Sequence, residues 1–315
     1  MNQIAGYDII RKLGTGAGSE LYAARDKRGG LFCLKHVVKK HAKDQRFLDQ
    51  AIMEHQIARK FDHPSLRKSF KVIKQREILR VSQIAVIMEL VEGTTLEHQK
   101  LPSIAKLIEL FGVIAAGLRT MHSGGYVHAD IKPNNLMITR DGKVKLIDFG
   151  QSCPIGTIKE RIQGTPDYIA PEQVKRQAIT EQTDVFNLGA TLYWLLTNER
   201  VPTIMPRRGT ADAIRRKERE LVKARPPQEL NPSVPPALSA LVMECVETNP
   251  RQRPRRMAEV CERLELAGTQ VRRGGGMPPA TDRPSEGQSG NPNPTSGLDT
   301  PNPLHDTAEL TAPER

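Results

Sequence analysis

The sequence predicts an α+β chain in two lobes, a small strand-rich N-terminal lobe and a larger helical C-terminal lobe. Three observations point there. Short apolar runs punctuated by glycine fill residues 7–38, long helical periodicities dominate after residue 102, and a polar connector, "VEGTTLEH", lies between. A ligand of such a chain would sit in the cleft between the lobes.

The elements follow in order. "YDIIRKL" leads into a Gly-rich turn, "ELYAARD" follows, and "KRGG" turns the chain into "LFCLKHVV", so glycines fall where hairpins need them. Residues 44–60 read as a helix with Phe47, Leu48, Ala51, Ile57 and Ala58 roughly on one face, stopped by His63-Pro64. "QIAVIMEL" reads as a buried strand, and no element is assigned between it and His63-Pro64. From Pro102 to Ser123, Leu107, Ile108, Phe111, Ile114, Ala115, Leu118 and Met121 keep helical spacing. A helix over roughly Thr183 to Thr197 is apolar nearly all round, which predicts burial in a large lobe. "PALSALVMECVE" and "PRRMAEVCERLEL" give two more helices, each opening near a proline. Residues 267–315, rich in Gly, Pro, Asn, Ser and Thr with almost nothing to bury, are expected to be a disordered tail.

The bulk numbers narrow the class of partner. The chain has 315 residues and a net charge of +11, which keeps it soluble and also suits phosphate-bearing or acidic ligands. Cys33, Cys153, Cys245 and Cys261 lie far apart with no CxxC pair, a spacing that suits neither a zinc site nor a disulfide framework and points to a reducing cytoplasm. "MNQIAGYDII" lacks the pattern of a signal peptide, and there is no run of about 18 apolar residues. The expectation is a soluble cytoplasmic protein with no membrane partner.

Four stretches carry chemistry. "LGTGAGSELY" is a Gly-rich hairpin whose backbone amides can approach phosphate oxygens. In "FCLKHV", Lys35 stands mid-strand between apolar neighbours, so its ammonium needs a counter-charge, for which Glu54 in the following helix is the candidate. "HADIKPNN" and "LIDFGQS" then bring Asp130, Lys132, Asn135 and Asp148. Phosphoryl transfer needs phosphates held in line, divalent metal to neutralise them and a group beside the attacking hydroxyl. Asp130 can accept a hydroxyl proton, Lys132 can offset charge on the transferred group, and Asn135 and Asp148 are hard oxygen ligands suited to Mg²⁺.

With these residues in this order, residues 7 to 266 resemble the protein kinase superfamily. Gly14, Gly16 and Leu21 match its glycine loop, Lys35 the Lys of V-A-I-K, Glu54 the helix Glu, Asp130, Lys132 and Asn135 the catalytic loop, and Asp148-Phe149-Gly150 the DFG. Ala170-Pro171-Glu172 stand as APE, with Arg253 as the partner of that Glu and Asp184 as the buried Asp that braces the catalytic loop. The resemblance implies a bilobal kinase fold, with an N-lobe over about 7–88, a hinge over about 89–95 and a C-lobe over about 96–266, together with ATP and Mg²⁺ as cofactors and a protein substrate with a Ser or Thr acceptor. It implies Lys35, Glu54, Asp130 and Lys132 as catalytic, Asn135 and Asp148 as metal ligands, and Thr165 of "GTPDYIAPE" as the substrate platform. ATP would then lie against Leu13, Gly14, Thr15, Gly16, Ala17, Gly18, Leu21, Cys33, Lys35, the gatekeeper Met88, the hinge residues Glu89 and Val91, and Met137. Lys132 and "GTPDYIAPE" resemble the serine/threonine branch, and "VEGTTLEH" leans toward bacterial members.

The chain departs from the pattern at several points. Ala129 replaces the Arg of H-R-D, which in kinases that carry it gathers a phosphate on the activation loop. The expectation is therefore a non-RD enzyme active without obligatory phosphorylation there. Ser19 replaces the third glycine and is expected at the loop tip, and Ala58 is smaller than the residue usually packed behind the helix. The basic stretch Met205 to Pro227 reads by default as a solvated helix. Docking of an acidic substrate or partner is its functional alternative, and nucleic acid, without aromatic residues to stack on bases, comes last. Cys153 reads as a plain small side chain or a redox-sensitive thiol. The competing class for the whole chain is a pseudokinase-like scaffold that binds nucleotide with little turnover.

Overall fold

A computed structural model describes residues 3–16, 18–77, 80–205 and 223–273. Ala17, most of the basic stretch (206–222) and the expected tail from residue 274 lie outside the described residues.

The first lobe is an antiparallel sheet of β1 (Gln3–Ile4), β2 (Tyr7–Gly16), β3 (Ser19–Arg25), β4 (Leu31–Val38), β5 (Ser69–Glu77) and β6 (Arg80–Glu89), in the order β1-β2-β3-β4-β6-β5. The helix α1 (Gln45–Ala58) lies between β4 and β5 in sequence and covers one face. The two-residue period of a strand makes the sheet bury both faces. Cys33 and Val37 join Leu48, Ala51, Ile84, Val86 and Met88 under α1, while Leu34 joins Tyr7, Ala24, Ala85 and Ile87 on the other side. Lys35 shares the parity of Cys33 and Val37, so its side chain is directed to the helix side. The strand β5 is absent from the sequence expectation. It is an edge strand with exposed Lys71, Lys74 and Arg76, the kind of charge that edge strands carry against unwanted pairing.

The second lobe is built on helices. The connector contributes β7 (Gly93–Thr95), and α2 (Ile104–Ser123) follows, with Oγ of Ser103 accepting from the amide of Lys106 at 3.3 Å as its N-cap. All seven apolar positions expected on α2 are buried. Short strands β8 (Tyr126–Val127), β9 (Leu136–Thr139), β10 (Val144–Leu146) and β11 (Cys153–Pro154) carry the loops between them, pairing as β10-β9-β7 and β11-β8. Then come α3 (Pro171–Val174), α4 (Glu181–Thr197), α5 (Pro227–Leu230), α6 (Pro236–Cys245) and α7 (Met257–Arg273). The central α4 is buried nearly all round, as its composition predicts. It meets α6 at Gly189, where a Cβ would overlap the Cβ of Cys245. The last helix runs past residue 266 to Arg273, since Ala267 and Gly268 are still buried on its inner face.

Two buried charges organise this lobe. Arg253, fully buried, makes a bidentate pair with Glu172 (2.8 and 2.9 Å), and Glu172 also accepts from Oγ1 of Thr183 at 2.8 Å. The guanidinium lies 4.8 Å from the ring centroid of Phe186. Asp184, 0 % exposed, accepts from the amides of His128 (2.8 Å) and Ala129 (2.7 Å) and stands 2.8 Å from Nε2 of His122. Removing one member of a buried pair strands the other, at a cost of about 3–5 kcal/mol. Arg253→Leu is therefore expected to lower the free energy of unfolding by about that amount, read from the midpoint of urea melts.

Candidate active site

The residues singled out by the sequence converge on the cleft from both lobes. From the sheet, Lys35 on β4 lies between Leu21 on β3 and Val86 on β6. Its Nζ is 2.5 Å from Oε2 of Glu54, which α1 buries to 3 % exposure. Burial works against the charge of Lys35, but Glu54 and Asp148 more than offset it and hold the ammonium above its ordinary pKa. The glycine hairpin has Gly14 opposite Leu21 and Gly16 opposite Ser19. Gly18 has φ +68°, and a Cβ there would come within 2.5 Å of the ring of Phe47, so α1 lies directly beneath the loop. Ser19 is not at the tip: it opens β3, pairs with Gly16 and is buried. Cys33 faces Met88 across the strands, with Leu21 packed on the same cluster, whereas Leu13 and Thr15 are exposed on the hairpin. Glu89 accepts from Nζ of Lys145 at 2.6 Å, and Val91 and Met137 are half-buried on the lower side.

From the second lobe, the turn between β8 and β9 carries a compact polar array. Nζ of Lys132 is 3.0 Å from Oδ2 of Asp130 and donates to Oγ1 of Thr165 at 2.7 Å, and Thr165 donates to Oδ1 of Asp130 at 3.2 Å. Nδ2 of Asn135 donates to the carbonyl of Asp130 at 2.8 Å and to its Oδ2 at 3.2 Å. With the amide nitrogen so engaged, the amide oxygen of Asn135 is its available donor to a cation. Asp148 is anionic: burial alone would raise its pKa, but the charge of Lys35, the amide of Gly150, and Arg67 and His128 hold it at about 2. Asp148 and Asn135 together fit a hard divalent cation that keeps water and phosphate in its shell. No group of three or more His, Cys, Asp or Glu that could hold a metal by itself occurs among the described residues.

Ala129 sits at the centre of the loop that carries Asp130, with φ +61°, a conformation costly for a residue with a Cβ. The surroundings over-determine it. Its amide is held by Asp184, its carbonyl accepts from Nε2 of Gln173 at 2.9 Å, and its methyl packs with Val127, Cys153 and Ile179. The position of the missing Arg is thus an apolar cluster, and Cys153, buried in it, has its thiol pKa raised by that burial.

Several residues at the site were not legible in the sequence. Arg67, 8 % exposed, places Nη2 3.7 Å from Oε1 of Glu54, so that carboxylate lies between two cations. Nδ1 of His55 is 2.8 Å from Oγ of Ser69, a buried polar tie between α1 and β5. Nε2 of Gln50 donates to the carbonyl of Gly150 at 3.0 Å. Gln173 has no chemical signature in sequence beyond its place after Glu172.

Comparison with known proteins agrees with this geometry. Residues 7–263 match the family described as the protein kinase domain. A probable serine/threonine-protein kinase of Streptomyces coelicolor is 30 % identical over 78 % of this chain and 37 % of its own. One of Clostridium perfringens is 28 % identical over 82 % of this chain and 38 % of its own. The serine/threonine-protein kinase PknB of Mycolicibacterium smegmatis is 29 % identical over 81 % of this chain and 41 % of its own. The chain therefore spans less than half the length of these curated relatives. Among the described residues no helix is long and apolar enough to cross a membrane. On the match over residues 7–263 and the bilobal fold, the chain belongs to the protein kinase domain family.

Proposed function

We propose that this chain is a serine/threonine protein kinase that moves the γ-phosphoryl group of ATP to a Ser or Thr hydroxyl of a protein substrate. The observation that carries the reading is the Asp130–Lys132–Thr165 array, set on the same cleft as the Lys35–Glu54 pair and an anionic Asp148. Asp130 orients the acceptor hydroxyl and takes its proton. Lys132 offsets charge on the transferred group, and Thr165 joins these two side chains and shapes the platform on which the acceptor lies. Lys35, kept in place by Glu54, holds phosphate oxygens, the glycine hairpin covers them, and Met88, Cys33, Leu21 and Met137 enclose the base against the hinge at Glu89 and Val91. Asp148 and Asn135 would hold the magnesium ion, which would supply charge neutralisation for the phosphates when bound. We place the reaction in a reducing cytoplasm, since all four cysteines are free.

The reading extends to regulation. An activation segment that depended on phosphate would need a cation where Ala129 stands, and the cluster around Ala129 is apolar. The enzyme is therefore of the non-RD kind and works without obligatory phosphorylation of its activation segment. An acidic docking partner for the basic stretch remains part of the proposal and rests on its sequence alone.

The test is transfer of label from γ-labelled ATP with Mg²⁺, with phosphosite mapping. Wild type should label Ser or Thr, Asp148→Asn should not, and Asp130→Asn should lose about 10²–10⁴ in kcat. Nucleotide binding with no labelled product from wild type would leave a nucleotide-binding scaffold instead. The double variant Ser152→Ala/Thr157→Ala removes the acceptors of the segment other than Thr165, and its kcat should stay within about twofold of wild type. A large loss would sink the independence from phosphorylation. Arg67→Leu leaves Glu54 with one cation, and a loss of about 1 kcal/mol in holding α1 corresponds to roughly fivefold in kcat/KM for ATP. That loss should vanish when Glu54→Gln is already present, which steady-state kinetics on the four combinations would read.

A further inference from the structure

The first part of the activation segment is tied to the lobe by its backbone. Cys153 pairs with Val127, and the amides of Ile155 and Gly156 donate to the carbonyls of Gly125 (2.9 Å) and Ile179 (2.7 Å). Beyond Thr157 the chain must still travel to Thr165, and one side chain turns back. Nζ of Lys159 donates to the carbonyl of Gln151 at 2.7 Å and lies 3.0 Å from Oε1 of the same residue, closing a loop over a sequence separation of 8. Gln151 follows Gly150, whose carbonyl is the one that accepts from Gln50 on α1. Two successive residues after Asp148-Phe149 are thus gripped, one by the helix and the other by the segment itself.

The chemistry of Lys159 is unusual for its place. Its side chain is half-buried, it makes no ion pair within 4 Å among the described residues, and the two oxygens it bonds both belong to Gln151. Asp130, Asp184 and Cys153 lie near enough to favour its charge, but burial prevails and lowers its pKa. A desolvated ammonium is costly unless it is hydrogen-bonded. A surface lysine would take water instead, so the arrangement is one the fold imposes. It sits beside the apolar cluster where the family's Arg is missing, and it needs no modification to form.

We propose that Lys159 is a positioning residue whose ammonium, folded back onto Gln151, fastens the activation segment in the arrangement that sets Thr165 against Asp130, in the role that an Arg–phosphate pair fills elsewhere. The inference rests on the reading of the site as a working kinase. It predicts that the cation matters more than any hydroxyl in residues 151–164.

The experiment compares Lys159→Met and Lys159→Arg, each in the otherwise unsubstituted chain and in Ser152→Ala/Thr157→Ala, by steady-state kinetics and by hydrogen exchange of residues 151–165. Displacing the acceptor platform should lower kcat about 10- to 100-fold in Lys159→Met. KM for ATP should stay within about twofold, and exchange should quicken only in the segment. Lys159→Arg, which keeps a cation, should recover at least about a third of the lost kcat. Should Lys159→Met fail to fold, Gln151→Glu offers the ammonium a carboxylate and should slow exchange across the segment. The fastening is overturned by a Lys159→Met enzyme within about twofold of its parent, by loss in Lys159→Arg equal to that in Lys159→Met, or by unchanged exchange in Gln151→Glu. Loss of activity in Ser152→Ala/Thr157→Ala alone counts against independence from phosphorylation, and the Lys159 pair in the unsubstituted chain still judges the fastening. Exchange reads it even if the chain transfers no phosphate.

Discussion

The carboxylate of Asp184 is the constraint on which the site depends. It is fully buried at the start of α4, and it gathers two consecutive amides of the loop that carries Asp130, together with the ring of His122. Those amides belong to His128 and Ala129, and the second is in a left-handed conformation that an alanine adopts only under compulsion. Without an acceptor at that point the loop would relax, and Asp130, one residue on, would turn with it. The rigid helix therefore sets the direction of the Asp130 side chain through two hydrogen bonds to the residues before it rather than through contact with Asp130 itself.

A second level of organisation fixes α1 within the first lobe. Ala58 is small and buried, in the same core cluster as Ile57 and Leu66. Polar ties stand in the same region: Glu54 between Lys35 and Arg67, and His55 with Ser69. Burial lowers the pKa of His55, which keeps its ring neutral at neutral pH and suited to a hydrogen bond with a hydroxyl. Directional bonds of this kind specify an orientation where a smooth apolar contact of the same size would permit sliding.

How much of this was legible in the sequence varied with the range of the interactions. The two lobes, α1, α2 and α4, and the cluster of Lys35, Glu54, Asp130, Lys132, Asn135 and Asp148 could be read because glycine punctuation, helical period and short motifs are local signals. The strand β5 escaped because Val72 and Ile73 are adjacent rather than alternating, its pairing with β6 shifts register near its start, and its outer edge is charged. Arg67 in "HPSLRKSF" looks like a surface cation until the fold buries it. Gln50 and Gln173 bond across sequence separations of 100 and 44, which no window of sequence can show. Ser19 was misplaced because a motif counts positions, whereas the hairpin decides which of them form the turn.

The position of Phe47 beneath Gly18 gives α1 a third attachment at the cleft. Along one helix, Phe47 touches the glycine hairpin, Gln50 reaches the carbonyl of Gly150, and Glu54 meets Lys35. The spacings of three and four residues put all three on a single face. A rigid rod fixed at three collinear points cannot release one by turning about its axis while keeping the others, so partial rotations are unfavourable everywhere along the path. A displacement of this helix would therefore disturb hairpin, cation and DFG turn together, so a partner that gripped its outer side would act on all three at once.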